Sequence, residues 1–235
     1  MLIALTRAVP PSIVHCELSH LERVPIDVDR AVAQHDEYER VLAEVGCQVQ
    51  RIAPEPEMPD SVFVEDTAVV LDDVAIITRP GAESRRGETR SMAAALKPYR
   101  ELAYIEDPGT LDGGDVLRLG DTLYVGLSAR TNEEAIRQLR RFTRVVAVPV
   151  TKCLHLKSAV TELADRTLLI NKQWIDPAYF AGFELIEAEQ ANALRIGDAV
   201  IYPGEIPGFN VHPVPMDELA KAEGGVTCCS VIFHG

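Results

Sequence analysis

Apolar residues in this 235-residue chain fall into short runs broken by acidic or glycine-containing turns, and one such shape recurs. Ala68-Val69-Val70-Leu71, an Asp72-Asp73 turn and Val74-Ala75-Ile76-Ile77 read as two strands joined tightly. The shape returns in Val116 to Val125 around Gly120-Asp121, in Val160 to Ile170 around Asp165-Arg166, and in Ala193 to Tyr202 around Gly197-Asp198. With Asp73, Asp121, Asp165 and Asp198 as markers the spacings are about 48, 44 and 33 residues, within the range of repeat architectures. A fifth copy has to draw on both ends of the chain. Cys229-Ser230-Val231-Ile232-Phe233 is its closing strand, carrying the adjacent cysteines at its start, and Leu2-Ile3-Ala4-Leu5-Thr6 is the partner. That pairing closes a ring and leaves no open end.

Helical patterns lie between the hairpins. Asp29 to Val45 is polar with Val32, Val41, Leu42 and Val45 on one side, and Ser84 precedes a helix from Arg86 to Leu96. Thr131 with Glu134 three residues on reads as a capping box opening a helix toward Phe142. Arg144 to Val150 then reads as a strand. Each unit is a ββα segment plus one connecting strand, so the fold class is α/β. No break in composition divides residues 1–235, which predicts a single domain.

Composition narrows the partners. With 47% hydrophobic and 25% charged residues the chain can bury a large core. A net charge of -13 argues against a phosphate-backbone partner and suits a small cationic ligand, although surface solubility accounts for the same charge. No apolar stretch approaches membrane-spanning length, and Met1 to Arg7 lacks the pattern of a secretory signal, so no membrane partner is expected. Five irregularly spaced cysteines, Cys16, Cys47, Cys153, Cys228 and Cys229, imply no disulfide framework and suit a reduced, cytoplasmic setting. None has zinc-finger spacing.

The candidate chemistry sits at one place in the repeat. Asp66, Gly114 and Ser158 each precede their turn marker by seven residues, with Asp112 and His155 two or three positions further back. Equivalent positions in symmetric modules point toward one axis, so these polar groups should converge there, and Cys228 occupies the matching place in the fifth module. Each has a plain structural explanation alone: a buried thiol is usually an inert small hydrophobe, and Gly113-Gly114 can mark a tight strand entry. Together, a thiol, an imidazole and carboxylates are the parts of a cysteine nucleophile acting on a cationic carbon.

Phe63-Val64-Glu65-Asp66, Leu111-Asp112-Gly113-Gly114-Asp115-Val116-Leu117, Leu154-His155-Leu156-Lys157-Ser158 and Thr227-Cys228-Cys229-Ser230, in that order, resemble the dimethylarginine dimethylaminohydrolase family. This family belongs to the guanidino-group-modifying superfamily, alongside arginine deiminases and amidinotransferases. The likeness runs from Pro59 to the C-terminus and includes Gly81 to Arg86. It implies a five-bladed α/β propeller with pseudo-five-fold symmetry, in agreement with the repeat count. It also implies Cys228 as nucleophile, His155 as general acid/base and Asp112 as the carboxylate orienting it. Glu65 and Asp66 resemble the guanidinium-binding carboxylates. Asp60 and the Leu18 backbone resemble the α-ammonium anchors, and Arg85 and Arg130 the α-carboxylate clamps. Cys229 receives no role beyond packing. No metal or organic cofactor is implied, whereas thiolate and imidazole are good zinc ligands, so inhibitory zinc at Cys228 and His155 is an expectation. Monomer and homodimer both stay open.

The residue two after the histidine bears on the substrate. Arginine deiminases and amidinotransferases resemble His-x-Asp there, and this chain has Lys157. A dimethylated nitrogen has no N–H to offer a second carboxylate, so loss of that acid suits an N-methylated substrate. Arginine or another N-substituted guanidine is the alternative. A ribosome-binding factor of similar ring architecture gives a non-catalytic alternative, since fold does not fix function.

Overall fold

The computed structural model describes residues 1–235. In chain order the elements are β1 (Leu2–Thr6), α1 (Val28–Glu44), β2 (Cys47–Arg51), β3 (Ala68–Val70), β4 (Val74–Ile77), α2 (Thr89–Leu96) and β5 (Glu101–Tyr104). There follow β6 (Val116–Leu119), β7 (Thr122–Leu127), α3 (Glu133–Leu139), β8 (Arg144–Pro149), α4 (Leu156–Ala159), β9 (Val160–Ala164), β10 (Thr167–Ile170) and β11 (Glu184–Glu187). The chain ends with β12 (Leu194–Ile196), β13 (Ala199–Tyr202), β14 (Asn210–Pro213), α5 (Asp217–Ala220) and β15 (Val231–His234).

These strands build a mixed α/β fold of five three-stranded sheets, ordered β15-β1-β2, β3-β4-β5, β6-β7-β8, β9-β10-β11 and β12-β13-β14. Every sheet follows one template: the central strand pairs antiparallel with the first strand and parallel with the third. The four hairpins of the repeat are all present. Gly120 and Gly197 turn two of them at φ of 59° each, the left-handed region that glycine enters without steric cost. Thr167–Ile170 and Ala199–Tyr202 are buried at every position, as continuous apolar runs covered on both faces must be. In the remaining sheet Leu2 pairs with His234 and Leu5 with Val231, so the two ends of the chain share one sheet.

Five apolar clusters lie between sheets. Ile3, Leu5, Val231 and Phe233 pack with Ala68, Ala75 and Ile77. Val69 and Ile76 pack with Val116, Leu123 and Val125. Leu117 and Val148 meet Val160, Leu168 and Ile170, while Leu163 and Leu169 meet Val200 and Tyr202. The last cluster returns from Ile196 and Ile201 to Ala4 and Cys47, under α1.

Several elements differ from expectation. On α1 the buried face is Ala31, Gln34, His35, Tyr38, Val41 and Leu42, and Val32 is exposed. A 3₁₀ segment, Glu83–Glu88, replaces the first turns of the helix expected from Arg86. Asn132, not Thr131, caps α3, accepting the Ala135 N–H at 3.0 Å, which frees the Thr131 hydroxyl for the interior. The crossover of the fourth sheet is only a 3₁₀ turn, Pro177–Phe180, and that of the fifth contains no helix. Cys228 and Cys229 lie in a turn ahead of β15 and not on the strand.

Candidate active site

Each of the five first strands is entered through a short polar turn, and these turns meet. A 3₁₀ turn, Val64–Thr67, carries Glu65 and Asp66 into β3, and another, Gly113–Asp115, follows Asp112 into β6. His155 is the N-cap residue of α4, which leads into β9, and Val226–Cys229 is the turn before β15. The loop before β12 supplies Asn192, whose side chain joins Lys157 O to Thr227.

The backbones approach closely, which explains the glycine pair. A Cβ on Gly113 would stand 1.9 Å from the Glu65 carbonyl oxygen, and one on Gly114 would stand 2.6 Å from His155 Nδ1 and 2.8 Å from Asp66 Oδ1. Without those side chains the Gly114 N–H donates to Asp66 Oδ1 at 2.9 Å, and the Glu65 N–H donates to the Cys228 carbonyl at 3.1 Å.

His155 is held between two carboxylates. Its Nε2 lies 3.0 Å from Asp112 Oδ2 and its Nδ1 3.9 Å from Asp66 Oδ1. Asp112 is fixed in turn by the Gly81 N–H at 2.9 Å, and Asp66 by Arg85 at 2.6 Å. The Cys228 thiol accepts the Gly225 N–H at 3.3 Å and makes no hydrogen bond with His155. The chain places Glu65 between Lys157 Nζ, 2.5 Å from one oxygen, and the Thr227 hydroxyl, 2.8 Å from the other.

Electrostatics assign protons. Burial opposes charge on His155, but Asp66, the bonded Asp112 and Asp115 outweigh it and raise the imidazole to about 9. Burial, with Glu65 and Asp66 nearby, pushes the Cys228 thiol up to about 12. Burial works against Asp66 as well, yet His155 and Arg85 bring it down to about 2. The resting site therefore holds an imidazolium and a neutral thiol.

The outer groups divide. Asp60 is buried and accepts the Glu17 N–H on both oxygens, at 3.2 and 3.1 Å, next to Leu18 in the entrance loop. Arg130 donates to Ser19 Oγ at 3.0 Å and lies 3.9 Å from Asp112. Arg85, expected beside it on the substrate, is instead buried and turned inward onto Asp66, Glu88 and the Asp60 and Phe63 carbonyls. The ligand atoms of Asp66, Asp112 and His155 lie within 4.8 Å of one another and are the local set able to hold a metal; the thiol is not in that set. Cys229 is fully buried, as its packing role requires.

Sequence reasoning missed Asp115, Thr227, Asn192 and Glu223. Asp115 was visible inside the Leu111 to Leu117 motif without a reason to separate it from Asp112. Glu223 accepts the Ser19, His20 and Leu21 N–H groups, a contact across the chain that no local pattern signals.

Comparison with known proteins places this arrangement. The family described as N,N dimethylarginine dimethylhydrolase, eukaryotic, matches residues 19–176. An N(G),N(G)-dimethylarginine dimethylaminohydrolase of Streptomyces coelicolor is 41% identical, covering 97% of this chain and 95% of its own length. The Pseudomonas aeruginosa enzyme, solved as a cysteine-to-serine variant complexed with citrulline, superposes with a TM-score of 0.91 at 34% identity, over 98% of each chain. A histidine-to-glycine variant of dimethylarginine dimethylaminohydrolase, as an adduct with S-methyl-L-thiocitrulline, gives 0.92 at 34% identity, over 99% of this chain and 100% of that one. Fold and site define a class, mixed α/β proteins of five three-stranded sheets whose entry turns gather a cysteine, a histidine and buried carboxylates. Within that class, the chain belongs to the dimethylarginine dimethylaminohydrolase family, whose members are hydrolases of guanidino C–N bonds.

Proposed function

We propose that this chain hydrolyses Nω-methylated arginines to citrulline and a methylamine, with Cys228 as nucleophile. The observation that carries the reading is the His155 imidazole held between Asp112 and Asp66 at the turn level of Cys228. Relatives bound to citrulline and to a thiocitrulline support the substrate class.

The guanidinium lies against Asp66, which stays ionised and takes charge-assisted hydrogen bonds from it. Its positive charge lowers the thiol of Cys228, whose proton leaves to solvent as substrate binds. The thiolate attacks the guanidinium carbon, and His155, protonated at neutral pH, gives its proton to the departing dimethylamine. An S-alkylthiouronium intermediate remains. The now neutral imidazole takes a proton from water, the resulting hydroxide adds to the same carbon, and the C–S bond breaks; the hydroxyl proton passes to the departing thiolate, leaving citrulline and the resting thiol. Asp112 keeps the imidazole oriented throughout. Asp60 and the Leu18 carbonyl receive the α-ammonium and Arg130 the α-carboxylate, while Arg85 acts by holding Asp66.

Lys157 and Thr227 occupy Glu65, while Asp66 has acceptor capacity beyond its Arg85 and Gly114 bonds for the guanidinium. A substrate nitrogen without N–H groups loses nothing against that wall. Cys228 and His155 would hold an inhibitory zinc ion only with the thiol drawn into the Asp66, Asp112 and His155 set, to which it does not belong here. The five sheets are the blades of a propeller forming one domain. Support comes from the five apolar clusters, which join successive sheets and return from the fifth to the first.

Citrulline release from asymmetric dimethylarginine and from arginine, measured in parallel, tests the function. Turnover of the methylated compound, lost in Cys228→Ser and kept in Cys229→Ser, is the expected result. Turnover of arginine alone overturns the substrate, and equal loss in both variants overturns the choice of thiol. Silence on both compounds overturns the function.

A further inference from the structure

One buried carboxylate near the site has no part in the reaction above. Asp115 ends the 3₁₀ turn Gly113–Asp115 and is fully buried. Its Oδ1 accepts the Leu156 N–H at 2.9 Å, the amide directly after His155 and the first of α4. Its Oδ2 accepts the Ser128 hydroxyl at 2.6 Å, and the neighbouring Thr131 hydroxyl favours its charged form. Room for the carboxylate exists because residue 126 is glycine, where a Cβ would stand 2.3 Å from Asp115 Oδ1.

The two hydroxyls flank Arg130. Ser128 Oγ, whose O–H donates to Asp115, accepts the Arg130 N–H at 3.0 Å and the Thr131 N–H at 3.1 Å. Thr131 Oγ1 accepts the Asp112 N–H at 3.2 Å. Asp115 is therefore bonded to the segments that carry His155 and Arg130. An ionised carboxylate accepts only, and every group facing this one is a donor. Asparagine has nearly the same shape but would turn its NH₂ toward another donor and lose one arm.

We propose that Asp115 is a positioning residue that sets the proton-transferring His155 and the substrate-clamping Arg130 in one frame. It rests on the function proposed above. Displacement of either group by a fraction of an ångström costs rate or affinity without unfolding the chain. The arms are separable by substitution. Ser128 ties Asp115 to the Arg130 loop, whereas Asp115 also bonds directly to the segment of His155.

The test compares Asp115→Asn and Ser128→Ala in the full chain on two substrates, dimethylarginine and the corresponding amine lacking the α-carboxylate. Ser128→Ala is expected to lower kcat/KM for dimethylarginine relative to the amine by about tenfold, mainly through KM. Asp115→Asn is expected to lower kcat on both substrates by about tenfold or more, and to raise KM for dimethylarginine. The His155 imidazole resonance, titrated by NMR, is expected to move to lower pH in Asp115→Asn and to stay in place in Ser128→Ala. Melting curves identify loss of fold. Should Asp115→Asn fail to fold, Ser128→Ala and Thr131→Val on the two substrates still decide. Equal losses on both substrates in Ser128→Ala, or an unchanged kcat with an unmoved His155 titration in Asp115→Asn, would overturn the proposal. A wild-type chain silent on both substrates instead overturns the function, and the His155 titration then judges Asp115 by itself.

Discussion

His155 sits among carboxylates that it neutralises. Asp112 and Asp66 hold it on either side and Asp115 lies behind, so the protonated ring is worth more in the fold than its burial costs. A group raised from the usual 6.5 to about 9 stabilises the fold fully below 6.5, and the contribution is lost as pH rises through 9. Each unit between the two values is roughly 1.4 kcal/mol. Denaturant midpoints are therefore expected to fall between pH 6.5 and 9 in the wild type and to stay flatter in His155→Asn. Equal slopes in the two proteins would show that the ring is not charged in the fold. The same charge makes His155 an acid first and a base second, in the order the proposed reaction needs.

The short turns that enter the first strands decide how closely the catalytic segments can meet. Gly113 faces the backbone of Glu65, which cannot move aside, whereas Gly114 faces the side chains of His155 and Asp66. The two alanine variants should therefore fail differently. Gly113→Ala is expected to lose about 1–3 kcal/mol or more of stability, read from thermal melts. Gly114→Ala is expected to fold and to lose about tenfold or more in kcat, because the displaced groups are the proton-transferring His155 and the guanidinium-holding Asp66. Comparable melting temperatures and comparable rates in both variants would remove this distinction.

The molecule is built so that its two ends belong to one sheet. Strand β1 is central in the sheet β15-β1-β2, and the Gly235 N–H donates to the Met1 carbonyl at 2.8 Å. A short flexible linker can join them at little cost in loop entropy, and the exposed Gly197-Asp198 turn offers new ends where few contacts are broken. A circular permutant cut there is expected to melt cooperatively and to keep turnover within about tenfold of the parent. Removal of residues 1–6 is expected to abolish both, since β15 and β2 lose the strand between them. A permutant that does not fold would show that the β12-β13 turn has to be continuous.

Much of this was legible along the chain. Local signals set the four hairpins, because alternating apolar runs and turn residues act over neighbours. The repeat register, seven residues ahead of each marker, placed Asp66 and Gly114 at the same level, and the ordered motifs marked the family. Other features depend on contacts between distant segments, and no local pattern encodes them. Asn132 takes the helix cap because the Thr131 hydroxyl is turned inward, where it accepts the Asp112 N–H. Arg85 turns inward because Asp66 and Glu88 are buried and need a cation. Asp115, Asn192 and Glu223 have roles only once turns from different sheets meet. Residues close together along the chain were enough to specify the repeating elements and the chemistry available at their entry turns. Which buried charge answers which follows from packing between sheets, since a carboxylate's partner is whatever the fold brings within about 3 Å.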